Sequence, residues 1–428
     1  MRLTKPLLFG LIAISLTGNA VVMKCETDSH SNWVETWAAA PMAHANKSGM
    51  FATDTTLRQI VHVSVGGSAI RVVLTNEFGT ADLKIGAASV ARPVAIPSAN
   101  ASNAEPGKPV DPLKGNSAVA PGSIVPIRFG GQNGTTVAPG AIAISDPVSF
   151  SVAPQSDLAI SLFVPGQTVD VVSLHQFSDQ VNFVADGNQV SAPVLSSDDT
   201  MWSWRLLKGI LVSGDARGAI VCLGDSITDG ALSKPNLNHR YPDVLAARLQ
   251  ANPATAGWAV LNEGIGGNSV LHDAPFTGPS ALERFDRDVI AQAGVRYVIL
   301  LEGINDIDRV SITKQPSDVI SADDLISAYR QLILRAHLHG IKVIGATLTP
   351  FGGSHGESET SKAIYAKVNN FIRTSSEFDG VVDFNKATAD PDDPTRLTKA
   401  NDGGDHLHPS DAGYKAMGES IDLKLFSR

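Results

Sequence analysis

The chain has 428 residues, 43% hydrophobic and 18% charged, with a formal net charge of −9. That is the composition of a folded protein and a length too great for one ordinary core, so two folded regions are expected. Acidity without long charge runs excludes a nucleic-acid surface, and two cysteines, Cys25 and Cys222, exclude a disulfide framework.

Residues 1–20 predict a cleaved export signal, with "MRLTK" as the basic start, "PLLFGLIAISL" as a short apolar stretch and "TGNA" as a small-residue cleavage site ending at Ala20. The stretch is too short and interrupted for an integral membrane span. Cys25 is not read as a lipid anchor, because Lys24 stands where a small residue is needed. A secreted protein is expected, extracellular or periplasmic.

From residue 33 to 211 the pattern is short and alternating: "LRQIVHVSVGG", "AIRVVLTNEFG", "LKIGAASVA", "IVPIRFGG", "VSFSVAPQSDLAISLFVP" and "VNFVADG". Gly, Pro, Asn and Asp separate these runs at hairpin-like intervals, which predicts an all-β sandwich or jelly-roll domain. Residues 95–122, rich in Pro, Ala, Ser and Gly, read as a long surface loop. "VSGDARG", ending at Gly218, reads as the joint to a second region over 219–428.

There the texture changes to strand followed by helix. "AIVCLGDS", "WAVLNEG", "VRYVILLEG", "KVIGATLTP" and "VVDFN" read as strands. "YPDVLAARLQA", "ALERFDRDVIAQAG", "SADDLISAYRQLILRAHLHG", "SKAIYAKVNNFIRTSS" and "GYKAMGESIDLKLF" read as helices, two of them closing on Gly. Such alternation predicts an α/β fold with a parallel sheet covered by helices on both faces, and ligands beyond the carboxyl ends of its strands.

The residues at those ends carry the chemistry. Asp225 and Ser226 follow the first strand, and Gly264, Gly266, Gly267 and Asn268 the second. Gly303, Asn305 and Asp306 follow the third, while Asp405, His406 and His408 precede the last helix. Taken singly, Ser226 is a helix cap, the glycines a tight turn, Asn305 an Asx-turn, and the Asp–His run a solvated loop. Together they are the parts of a serine acyl-transfer site: nucleophile, oxyanion donors, base and orienter.

The second region resembles the SGNH (GDSL) hydrolase superfamily. "GDSITDG" matches the first of its motif blocks, "NEGIGGN" the second, "EGIND" the third and "DHLHP" the fifth, in order between Gly224 and Pro409. The resemblance implies a flavodoxin-like three-layer parallel sheet and a secreted esterase or acylhydrolase without cofactor or metal. It assigns Ser226 as nucleophile, His408 as general base and Asp405 as its orienter. The oxyanion hole falls to the Ser226 and Gly267 amides and the Asn305 side chain. The β-rich region is similar to the leading domain of bacterial two-part members; every residue of the mechanism falls after Ala219, so it is expected to shape the cleft and supply no catalytic group.

Alternatives remain at this level. His406 stands beside Asp405 and competes for the role of base. "GGSHG" around Ser354 has the spacing of another fold's nucleophile elbow, but reads as a loop beside the cleft. Asp225, Asp229, Asn305, Asp306, His406 and His408 could instead hold a divalent metal, as in a metal-dependent phosphoesterase. Trp33, Trp37, Trp202 and Trp204 could serve a carbohydrate-binding protein, although core packing suits most of them. The partner expected is an ester substrate, with acetylated polysaccharide or oligosaccharide favoured over lipid. No oligomeric state follows from the sequence.

Overall fold

The strand Gly218–Gly224 is buried at all seven positions, because a continuous apolar run can only be stable where both sheet faces are covered. In the computed structural model, which describes residues 33–94, 117–197, 199–312 and 319–427, this strand lies inside a five-stranded parallel sheet. Trp258–Gly264 flanks it on one side; Val295–Leu301, Lys342–Ala346 and Gly380–Val382 follow on the other. Numbered along the chain, the order is 2-1-3-4-5, the flavodoxin-like arrangement, and its direction of winding reverses at the first strand. The expected export signal, Cys25 and most of the expected surface loop lie outside the described residues.

Helices connect the strands much as the periodicity predicts. Tyr241–Ala251 and Glu359–Thr374 match their apolar patterns, and Ala322–Leu338 starts at a reciprocal cap between Ser321 and Asp324. Gly340, at φ +69°, provides the left-handed exit from that last helix. Several expectations needed correction. "GYKAMGESIDLKLF" is an α-helix only to Ser420, followed by a 3-10 turn over Leu423–Phe426, and "VVDFN" is a strand only to Val382, with a helix from Phe384. "ALERFDRDVIAQAG" is helical only over Ala281–Phe285 and then widens into a π turn over Asp286–Ile290, where Ala291 N donates to Asp286 O. The helix Ile304–Ile312 was not anticipated, since the motif "EGIND" masks its first turn. Among the described residues no helix is long and apolar enough to cross a membrane.

Antiparallel sheets form the preceding all-β region. Its longest pairing joins Thr55–Val63 to Ser156–Val164 over nine residues each, inside a six-stranded sheet. A four-stranded sheet places Trp33–Ala38 beside Leu207–Ser213, then Ala69–Thr75 and Ile142–Ile144. Several short strands here, including Trp33–Ala38, Met42–Ala45 and Val171–His175, lack clear alternation and went unrecognised in the sequence.

One apolar core continues from Val34, Val61 and Ile70 in the β-rich part to Val221, Leu261 and Val298 in the parallel sheet. Glu35 N donates to Ala293 O across this boundary. Trp37 and Trp204 lie within the core, ring edge to face at 4.9 Å, and Trp204 Nε1 donates to Ile60 O. Those two tryptophans are packing residues. Trp33 lies under the Arg71 guanidinium.

Candidate active site

The first parallel strand ends at Gly224, where any Cβ would collide with Thr228 Oγ1 and Leu301 O. The chain then turns at once into the short helix Ser226–Asp229. Asp225, not Ser226, caps this helix: its carboxylate accepts from Ile227 N at 2.8 Å. Burial pushes the Asp225 carboxyl up to about 7 against the pull of that amide. With the cap supplied by its neighbour, Ser226 keeps its hydroxyl for another partner.

That partner is His408. Its Nε2 lies 2.7 Å from Ser226 Oγ, and its Nδ1 lies 2.6 Å from Asp405 Oδ2. Asp405 Oδ1 also accepts from the His408 and Leu407 amides at 2.8 and 3.0 Å, so the three-residue spacing folds the carboxylate back under the ring. Partial burial would raise the Asp405 carboxyl, but the hydrogen bonds and charge of His408 outweigh it and hold it at about 2. His406 is turned elsewhere. It adopts φ +65°, and its Nδ1 lies 2.6 Å from Asp402 Oδ2. Two adjacent Asp–His pairs therefore exist, and only the one ending in His408 reaches the serine.

The loop after the second strand supplies the candidate oxyanion donors. Gly267 has φ +73°, and a Cβ there would lie 2.6 Å from Thr277 Cγ2, so glycine is required twice over. Gly266 N donates to Asp229 Oδ2 at 3.0 Å. Among the described residues, neither Gly267 N nor Ser226 N has an acceptor. Asn305 Nδ2 donates one hydrogen to Asn268 O at 2.8 Å, which orients the amide and leaves its second hydrogen available.

Residues 222–416 match the GDSL-like lipase/acylhydrolase family. The C-terminal half of the chain is a GDSL-like (SGNH) domain, preceded by an extra all-β region. No curated protein matches the chain. Among solved structures, an acetylxylan esterase from Geobacillus stearothermophilus is 24% identical, with 49% of this chain and 94% of that chain covered and a TM-score of 0.38. A protein assigned to the G-D-S-L lipolytic family, from Desulfitobacterium hafniense DCB-2, is 21% identical over 47% of this chain and 97% of its own, with a TM-score of 0.36.

The remaining polar residues of the GDSL-like domain hold its loops. Asp306 accepts from Val270 N and Leu271 N at 2.8 and 3.0 Å, and burial still raises its carboxyl above the usual range. With Asp229 turned to Gly266 and His406 to Asp402, the six residues considered as metal ligands are directed to separate partners. Among the described residues, no group of three or more His, Cys, Asp or Glu converges to hold a metal ion. Ser354 sits in the turn after Pro350; its N donates to Phe351 O and its Oγ has no partner among the described residues. No base faces it.

Two organising residues escaped the sequence reading. Arg284 is fully buried and donates to Gly224 O, Glu263 O and Asn268 Oδ1 at 2.8, 2.7 and 2.9 Å, tying two strand ends to the glycine loop. Its signal was present: an arginine between Ala281 and Phe285 on the apolar side of a short helix. The other is His175 of the β-rich region, whose Nε2 lies 3.0 Å from Asp229 Oδ1. It carries no local signal at all.

Proposed function

We propose that the chain is an exported serine ester hydrolase that works through an acyl-enzyme, with short acyl esters of carbohydrates as its substrates. The observation that carries this is the continuous Ser226–His408–Asp405 relay at 2.7 and 2.6 Å. Ser226 Oγ attacks the ester carbonyl while His408 Nε2 takes its proton, and Asp405 stabilises the resulting imidazolium. The tetrahedral oxyanion is received by the Ser226 and Gly267 amides and the free Asn305 hydrogen. When the carbon–oxygen bond breaks, the alcohol leaves with the His408 proton. Water then repeats the attack, gives its proton to His408, and releases the acid and the serine.

The choice of a carbohydrate rests on Phe276. It is 82% exposed and adjoins Thr277, whose methyl covers Gly267, so an apolar ring face stands free beside the oxyanion loop. Such a face suits stacking against a sugar ring. Export is supported by the basic-apolar-small pattern of residues 1–20.

The test is a panel of nitrophenyl esters of increasing chain length beside acetylated xylan and pectin fragments, with a fluorophosphonate to label the nucleophile. Hydrolysis of short esters and a label on Ser226 are expected; a label on Ser354, or none, overturns the assignment. Activity should persist after exhaustive EDTA treatment, because each step above is given to a side chain or amide. Loss in EDTA with recovery on adding a divalent ion would favour metal-assisted hydrolysis.

Phe276→Ala should raise KM for acetylated xylooligosaccharides about tenfold, roughly 1–1.5 kcal/mol of lost stacking, and leave nitrophenyl acetate unchanged. Equal effects on both substrates would remove the sugar platform.

A further inference from the structure

We propose that the β-rich region sets the oxyanion loop of the ester-hydrolase site, with His175 as the positioning residue. The proposal rests on the functional reading above and adds a role for the half of the chain that the motifs ignore.

The glycine loop needs outside support. Gly266 and Gly267 are adjacent residues with no side chain to restrict their backbone, so nothing in the local sequence holds the Gly267 amide in one direction. Two contacts from the β-rich region supply restraint. The first is polar. Asp229 receives Gly266 N on Oδ2, and its Oδ1 faces His175 Nε2 at 3.0 Å. Both residues are almost completely buried. His175 Nε2 also lies 2.7 Å from Phe177 O, and Nδ1 lies 3.0 Å from Ala40 O. Every partner of the ring is an acceptor, so both nitrogens carry protons and His175 is an imidazolium paired with Asp229. Burial opposes that charge, but Asp229 and the two carbonyls outweigh it and raise the His175 pKa.

The second contact is apolar. Ile265, the residue before the glycine pair, is buried in a small cluster with Ala40 and Met42. Ala40 thus takes part in both contacts: its carbonyl faces the His175 ring and its side chain belongs to the cluster around Ile265. Asp229 also belongs to the same short helix as Ser226, and Gly264 lets that helix press directly on the second strand, since a Cβ there would collide with Asp229 N. One buried ion pair therefore references nucleophile helix and oxyanion loop to the same β strand.

The test compares wild type with His175→Gln, which retains a donor but removes the charge. The rates are kcat and KM on a short nitrophenyl ester and the rate of fluorophosphonate labelling at Ser226. Amide hydrogen exchange of the peptide spanning 262–270 is followed against that of the helix Glu359–Thr374. The expected result is kcat lowered about 10- to 10²-fold with KM changed less than about twofold, since a displaced oxyanion donor acts on the transition state alone. Labelling should slow by a similar factor, and exchange should quicken in 262–270 only. Unchanged exchange and unchanged kcat overturn the proposal, as does a uniform rise in exchange, which would mean general loosening. Should His175→Gln not fold, Met42→Ala removes the apolar contact and is judged by the same outcomes. A wild-type enzyme inert towards all esters would defeat the functional reading, while the exchange data would still decide whether His175 holds the loop.

Discussion

Ser226→Ala and His408→Ala are each expected to lower kcat on a short ester by at least about 10⁴-fold with the fold intact, and Asp405→Asn by about 10³- to 10⁴-fold. Among the described residues the relay has no duplicate: Ser226 Oγ is hydrogen-bonded to His408 alone, and the neighbouring His406 is paired with Asp402. Removing the nucleophile or the base removes the whole unit, so the double variant should be no slower than either single one. The pH profile discriminates further. Asp405 is held at about 2, so it stays ionised across the range in which an imidazole titrates. Its depressed pKa means that its native pairing is intact above the unfolded carboxylate pKa and is lost only as pH falls through about 2. A fall in kcat/KM between neutral pH and pH 4 therefore does not come from protonation of Asp405. An active His408→Ala enzyme silenced by His406→Ala would hand the role to His406.

Arg284→Met should destabilise the protein by about 3–5 kcal/mol, read as a lowered denaturant midpoint, and should impair catalysis as well. The guanidinium is wholly buried, spans Gly224 O, Glu263 O and Asn268 Oδ1, and faces Asp288 at 3.3 Å. Methionine fills much of the volume but removes the buried donor to Glu263 O and Asn268 Oδ1, while Gly224 O keeps Ile265 N and Asp288 keeps Arg287. Arg284→Lys should recover only part of the loss, because an ammonium cannot present the same planar fork to three directions. A change below about 1 kcal/mol for Arg284→Met would show that the strand ends do not depend on this residue.

Residue type and spacing alone determined much of this protein. The parallel strands were legible because each is a short apolar run closed by Gly or a polar motif, and the long helices because their apolar period and caps are local properties. The strand-end rule then brought Ser226, the glycine loop, Asn305 and the Asp–His run to one rim without coordinates. The β-rich region was legible as a class but not strand by strand, since pieces such as Val171–His175 are too short and too uniformly buried to alternate. The tertiary structure decided the rest. Which of two histidines two residues apart meets the serine depends on a left-handed turn at His406 and on which carboxylate each ring finds. That Arg284 is a buried tie and not a solvated helix residue depends on two backbone carbonyls and the Asn268 side chain, all from distant segments. That the pKa of His175 is raised depends on Ala40, Phe177 and Asp229 all facing one buried ring. Periodicity and capping act over a few residues and leave a trace in the sequence; a buried polar group is defined by whatever the rest of the chain packs around it, and only the assembled core contains that.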